Sequence, residues 1–159
     1  MGSDGVVGRP AEGRPRRVID AGRLWSGGVM AAVVAAGVAI VGLLIARGIL
    51  DIPVLVERNG KLVNANTWWY AGAAFLAGIA ATGLLHALLV TTPQPYRFFR
   101  WIAGLAVTIA VLIPFTTAAG LDTKLTVASI NLAVGVCIVS IVSGVGRSAA
   151  RVLDEPYGY

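Results

Sequence analysis

Side chains that could do chemistry are few and far apart in this 159-residue sequence. The only histidine is His86 and the only cysteine is Cys137. Nucleophilic catalysis requires a nucleophile beside a base, and a metal site requires several ligands together. Neither pattern occurs, and there is no glycine-rich phosphate-binding loop. We therefore predict no catalytic residue, no metal and no cofactor, and we expect that the protein is not an enzyme.

His86 lies in an uncharged apolar stretch, where an ionisable group is a functional candidate by default. A proton relay would need a buried acid nearby, and no Asp or Glu falls inside any of the apolar stretches. His86 is one turn from the end of its stretch, so its imidazole can instead reach water or bond a neighbouring helix. We favour this second interpretation.

Arg47 and Asn131 are two further polar candidates. Arg47 follows the uncharged stretch 24–46, and near a helix end its long side chain can extend to the lipid headgroups. If Arg47 lies deeper, it needs a partner, for which Asp51 is the candidate. Asn131 places an amide in hydrocarbon, where the amide must find a hydrogen-bond partner. That partner belongs either to another subunit or to the same chain, and both alternatives stay open.

Pro114 falls late in the third apolar stretch. Because proline has no N–H, it cannot bond to the carbonyl of Ala110, and it should kink the helix. Thr116 and Thr117 are close enough in sequence to help satisfy the local backbone.

Four long apolar stretches carry these candidates. The stretch Trp68–Val90 contains no Asp, Glu, Lys or Arg. A helix of that length rises about 34 Å and crosses a hydrocarbon core of about 30 Å. Pro93 and Pro95 should interrupt the helix before a third span that begins at Trp101. We predict an all-α membrane protein with four transmembrane helices in an antiparallel bundle, the spans being about 24–50, 68–90, 101–119 and 125–146.

Overall composition supports a membrane location. Hydrophobic residues make up 57% of the chain and charged residues 13%, whereas soluble domains carry about 25% charged residues. The transmembrane domain is predicted at residues 24–147. A disordered basic tail precedes it at residues 1–23, and a cytoplasmic tail follows at residues 148–159.

The loop at residues 51–67 contains a predicted β-hairpin. Asn59-Gly60 is the preferred pair for a two-residue turn, because both positions need a positive φ. The resulting register pairs Arg58 with Lys61, Glu57 with Leu62 and Val56 with Val63. A lone hairpin is marginal in water, so it needs the membrane surface, the bundle or a second copy to pack against. The alternative is an unstructured loop.

Arginine and lysine are unevenly distributed, which predicts the orientation. The tails and the loop between spans two and three hold Arg9, Arg14, Arg16, Arg17, Arg23, Arg97, Arg100, Arg147 and Arg151, and the opposite side holds Arg47, Arg58, Lys61 and Lys124. By the positive-inside rule both termini are cytoplasmic and the hairpin is outside. We predict a multi-pass protein of a bacterial cytoplasmic (inner) membrane. Its surroundings are the lipid bilayer, and we expect that it does not bind nucleic acid.

Small residues mark the surfaces at which the helices are expected to pack. Ladders on the first span (Gly28, Ala32, Ala36) and the second (Ala74, Gly78, Thr82) predict close pairing of these spans. The fourth span carries Asn131 on one side and a small, hydroxylated stripe on the other, formed by Ser129, Ala133, Ser140, Ser143 and Gly144. This span is therefore expected to contact protein on both sides.

Three of these features together resemble a known group of proteins. Arg47 ends the first span, Ile113-Pro114 comes late in the third, and Asn131 comes early in the fourth. This pattern, over about residues 24–147, resembles a group of small actinobacterial integral membrane proteins catalogued as a domain of unknown function. The resemblance implies a four-span membrane fold and no particular activity.

The sequence leaves three functions open. The leading hypothesis is a non-catalytic accessory subunit or a homo-oligomeric bundle, which contacts another membrane protein or itself through the fourth helix. The alternative is a small-molecule transporter or permeability protein with a polar cavity built from His86, Thr82, Asn131 and the kink at Pro114. A membrane enzyme is the third hypothesis and would need His86 and Cys137 to converge.

Overall fold

The structure is a computed structural model that describes residues 21–58, 61–64 and 66–151. Nearly all of the predicted N-terminal tail, the end of the C-terminal tail and the Asn59-Gly60 turn lie outside the described residues.

Four long helices and one short strand pair make up the described chain. In order, the elements are α1 (Ala21–Gly48), β1 (Leu55–Arg58), β2 (Lys61–Asn64), α2 (Thr67–Thr91), α3 (Pro95–Leu112), a 3₁₀ turn (Ile113–Thr116) and α4 (Leu121–Arg151).

Four helical segments are long and apolar enough to cross a membrane: Ala21–Gly48, Thr67–Thr91, Pro95–Thr116 and Leu121–Ser148. Their outer surfaces carry large apolar side chains such as Met30, which is 62% exposed, and Leu76, which is 66% exposed. In water a surface of this kind would promote association, whereas hydrocarbon matches it. Trp68 and Trp101 are also exposed. An indole at a span end suits the headgroup layer, because one edge is apolar and the N–H is wet.

Helices α1 and α2 pack in direct contact through their small residues. A Cβ atom at Gly28 would overlap the side chain of Thr82, and a Cβ atom at Gly78 would lie 2.7 Å from the Cα of Ala32. Ala32 and Thr82 are both fully buried. The two small-residue ladders therefore meet as the sequence predicts.

Helix α4 contacts each of the other three helices. Its glycines show how close these contacts are: a Cβ atom at Gly135 would meet Val107 of α3, and one at Gly146 would lie 2.8 Å from Leu85 of α2. On α1, Gly42 faces Ile130 of α4 in the same way. The core lies between the four helices, and its largest fully buried side chains include Leu24, Leu43, Val54, Leu85, Phe99 and Val142.

The non-helical link between α2 and α3 is shorter than the two prolines predict. Pro93 lies in this link, but Pro95 is the first helical residue of α3, and the helix starts before Trp101. A proline at this position lacks only an N–H that has no helical partner there, and its fixed φ suits the helix. Pro95 therefore begins the helix instead of breaking it.

The strands β1 and β2 pair antiparallel in the predicted register, with Val56 opposite Val63 and Arg58 opposite Lys61. The base of this hairpin is attached to the bundle. Val54 is fully buried, and the Thr123 hydroxyl donates to the Pro53 carbonyl at 3.1 Å. Of the three supports that the sequence left open, the bundle therefore holds the base of the hairpin, at the start of α4.

Gly78→Ala is expected to destabilise the bundle, because its new Cβ atom would lie 2.7 Å from a backbone atom of Ala32. Overpacking of this kind costs about 1–3 kcal/mol. Gly83→Ala on the same helix is the matched control, since nothing lies within 4 Å of a Cβ atom there. Unfolding by SDS titration from mild detergent measures both variants. Equal stability of the two variants would contradict the close contact of α1 and α2.

Candidate functional site

The carbonyl of Ala110 is the starting point of the candidate site. Pro114 has no N–H to donate to this carbonyl. The α-helix therefore ends at Leu112, and the chain goes on as the 3₁₀ turn. The side chain of Asn131 reaches over from α4 and donates from Nδ2 to this carbonyl at 2.7 Å. The amide of Asn131 thus replaces the backbone donor that Pro114 removes.

The other end of the same amide is held by Tyr70. Its hydroxyl donates to Oδ1 of Asn131. Tyr70 lies in the first turn of α2, which is fixed by Asn66: the Asn66 side chain accepts from the backbone N–H of Trp68 at 3.0 Å. We call Tyr70, Asn131 and the Ala110 carbonyl the polar corner, which connects α2, α3 and α4. Of the two alternatives for Asn131, the structure supplies the partners within the chain.

Two threonines satisfy the backbone after Pro114, as the sequence predicts. Thr116 donates to the carbonyl of Ile113 at 2.8 Å, and Thr117 donates to the carbonyl of Pro114 at 2.7 Å. These two carbonyls are therefore hydrogen-bonded where the regular helical pattern ends, as irregular backbone in a membrane-spanning segment requires.

The polar corner lies near one end of a cavity of about 730 Å³ between α2, α3 and α4, and Thr116, Thr117 and Val127 line the cavity beyond it. The walls are apolar. Alanines recur on α2 (Ala73, Ala77, Ala80) and α3 (Ala103, Ala106), and valines and isoleucines line the α4 side. Ala77 and Ala106 are exposed in the isolated chain, so the cavity is open between α2 and α3. Leu84 and Phe99 line its other end.

The cavity is not enclosed, because its side between α2 and α3 opens onto the apolar outer surface of the bundle. Because the walls are apolar, the filling must be apolar as well, and the open side gives hydrocarbon access to it.

Two of the four residues that the sequence assigned to a polar cavity line this one, namely Asn131 and Pro114. Thr82 is buried between α1 and α2, and its hydroxyl donates to the Gly78 carbonyl at 2.9 Å. The ring of His86 lies 6.4 Å from that of Trp25 on α1, measured between centroids. The cavity is consequently far less polar than the sequence hypothesis requires.

Arg47 is half-buried and donates from Nη1 to the Thr67 hydroxyl at 3.3 Å. Thr67 is the first residue of α2, so this hydrogen bond connects the end of α1 to the start of α2. The sequence offered headgroups and Asp51 as partners for Arg47 and did not identify Thr67. Nothing in the local sequence marks Thr67 as a partner, because the two residues meet only once α1 and α2 pack.

Sequence reasoning also missed Tyr70 and the cavity. Its neighbours Trp68 and Trp69 favour a position in the headgroup layer for Tyr70 as well, and nothing in the sequence indicates Asn131 as its partner. One signal was present: Ala73, Ala77 and Ala80 recur at the helical period on one side of α2. A helix face with such small side chains either packs closely against another helix or leaves a cavity beside it.

Asn131→Leu is expected to destabilise the protein by about 0.6–1.7 kcal/mol, since it leaves the Ala110 carbonyl without a donor in hydrocarbon. The same change should cost less in a Pro114→Ala background, because the alanine N–H can then bond to that carbonyl. Tyr70→Phe is the control and should cost the same in both backgrounds, because Tyr70 bonds to Oδ1. A double-mutant cycle of unfolding free energies measures the difference. An equal cost of Asn131→Leu in both backgrounds would rule out the link to Pro114.

Comparison with known proteins places this architecture in a family. Neither a curated protein nor a solved structure matches the chain. A family profile matches residues 19–148, a range that includes all four membrane-length segments, the polar corner and the cavity. The chain therefore belongs to DUF6069, a family of unknown function.

Proposed function

We propose that this is a non-catalytic multi-pass membrane protein that works by helix packing, as an accessory subunit of a larger assembly or as a homo-oligomer. The observation that supports the proposal is an exposed side of α4 on which small residues recur, with the exposed Val136 between them. We call it the open face of α4 and define it by Ser129, Ala133, Ser140 and Gly144, all of which are exposed.

The open face of α4 is the side that the rest of the chain does not cover. On the opposite side Asn131 bonds to α2 and α3, and between the two sides Ile130 faces Gly42 of α1. Ser143, the fifth residue of the stripe, is buried. The stripe thus extends from the bundle interior to a surface that has no partner in the described chain.

Small and hydroxylated residues favour contact with another helix over contact with lipid, because they let two backbones approach closely. A groove of about 530 Å³ runs beside the open face between α1 and α4, and Gly42, Ala46, Ser129 and Ala133 contribute to its lining. A helix from another subunit that packs in this groove would contact small residues of both α1 and α4.

The proposal includes a topology. The four helices form an antiparallel bundle in a bacterial, specifically actinobacterial, cytoplasmic membrane, with both termini inside and the hairpin outside. Two observations support it. Contacts between α1 and α2 run in opposite order, from Gly28 beside Thr82 to Arg47 bonded to Thr67. Nine of the 13 cations then fall on the cytoplasmic side.

Native mass spectrometry of the protein, extracted from its own membrane in mild detergent, tests the assembly. A heteromeric mass is expected for an accessory subunit and a multiple of the chain mass for a homo-oligomer. Gly144→Leu on the open face should reduce either species. Gly104→Leu on α3 is the matched control, since both glycines are exposed and neither has an atom within 4 Å of a Cβ atom. A bare monomer, or equal loss in both variants, would refute the proposed interface.

A transporter or permeability protein is the second candidate, and the cavity between α2, α3 and α4 is the observation that favours it. A cavity within a helical bundle is a common location for a small-molecule site. The walls of this cavity are apolar over most of their length. Any transported molecule would therefore be largely apolar, in contrast to the ions and drugs that need a buried carboxylate.

Replacing both reactive side chains tests the absence of catalysis. Cys137→Ala and His86→Ala, singly and together, are expected to leave a cellular phenotype of the gene deletion fully complemented. Gly146 contacts Leu85, the neighbour of His86, and Cys137 lies about 14 Å from Gly146 along α4 by helix rise. Loss of complementation with normal protein levels in the membrane would instead support an enzyme or a proton relay.

A further inference from the structure

We propose that the cavity between α2, α3 and α4 is a binding site for a single hydrocarbon chain that ends in an oxygen acceptor, such as an acyl ester or a fatty acid. The site does not depend on the assembly proposed above, because it lies on the side of α4 opposite the open face.

The shape and lining of the cavity define the chain part of this ligand. The lining extends along α2 from Tyr70 to Leu84, a distance of about 21 Å by helix rise. Its volume of about 730 Å³ falls in the range of small-molecule sites, about 300–1,000 Å³. A long, narrow apolar space accepts an extended chain better than a compact ring system. The opening between Ala77 and Ala106 gives such a chain access from the bilayer.

The polar corner defines the end group. The amide of Asn131 has two N–H donors and one oxygen. The oxygen accepts from Tyr70, and one N–H donates to the Ala110 carbonyl. For the second N–H no acceptor is found among the described residues, and Asn131 is one of the residues that line the cavity. A ligand that supplies a carbonyl or carboxylate oxygen at this end would complete the hydrogen bonding of Asn131.

The position of the corner also suits an amphiphile. Tyr70 is close behind Trp68, which is 81% exposed at the start of α2. An oxygen bound at Asn131 therefore lies just inside the headgroup layer, and the chain extends towards Leu84 and Phe99 at the other end of the cavity. A bilayer phospholipid that inserts one acyl chain and a free single-chain molecule share this chemistry.

Photolabelling tests the site with the purified full-length protein in phosphatidylcholine liposomes. The probe is palmitic acid that carries a diazirine in its chain, and adducts are mapped by mass spectrometry. Adducts are expected on the cavity walls, and Ala77→Phe or Ala106→Phe should remove most of them. Ala87→Phe is the control, because Ala87 is exposed on α2 and does not line the cavity. Equal labelling of Ala77→Phe and Ala87→Phe, or adducts spread over all outer surfaces, would overturn the proposal.

Competition on the unmodified protein tests the end group without any variant. Methyl palmitate has the acceptor oxygen, whereas hexadecane has the same chain without it. Methyl palmitate is expected to compete about fivefold better, the value of one hydrogen bond of about 1 kcal/mol. Equal competition would refute the role of Asn131.

A diazirine phosphatidylcholine probe then distinguishes the two sources of the ligand. Labelling by this probe that is sensitive to Ala77→Phe identifies bilayer lipid, and labelling by palmitic acid alone identifies a free ligand. Labelling of the walls by neither probe would refute the site.

Discussion

A backbone carbonyl without a helical donor, in a segment apolar enough to cross a membrane, is the constraint on which the rest of this structure depends. Pro114 removes the donor for Ala110, and hydrocarbon offers no replacement. Asn131 supplies one from α4, and Tyr70 then holds the amide from α2. The hydrogen bond that Pro114 removes from α3 is thereby replaced by contacts that connect three helices. The same proline ends α3 early and allows the 3₁₀ turn that leads into α4.

Small residues have two opposite consequences in this bundle. Between α1 and α2, glycines at 28 and 78 allow direct contact of the backbones. Between α2 and α3, alanines face each other across a space, because Phe99 and the polar corner occupy its two ends. On α4 a third small-residue surface has no partner in the described chain. The residue type alone therefore does not determine whether a small-residue surface packs against another helix, lines a cavity or is exposed.

The features that the sequence predicted correctly depend on residues close together in the chain. Span length, the helical period of Gly28 and Ala32, and the turn preference of Asn59-Gly60 predicted the four helices, the contact of α1 with α2 and the strand register. The partners of Arg47 and Asn131 were not predictable in this way. Tyr70 lies 61 residues before Asn131 in the chain, and Thr67 lies 20 residues after Arg47. Such pairs depend on how the helices are rotated and tilted against each other, which no local pattern encodes. The cavity was missed for the same reason.

The amide of Asn131 acts as a strut of fixed length. One end accepts from Tyr70 and the other donates to the Ala110 carbonyl, so α2 and α3 are joined at this level through the Tyr70 side chain, two hydrogen bonds and one rigid planar amide. Hydrogen-bond lengths vary by only a few tenths of an ångström, whereas alanines that face each other across the cavity set no spacing. The width of the cavity at its polar end is therefore set by two side chains, Asn131 and Tyr70.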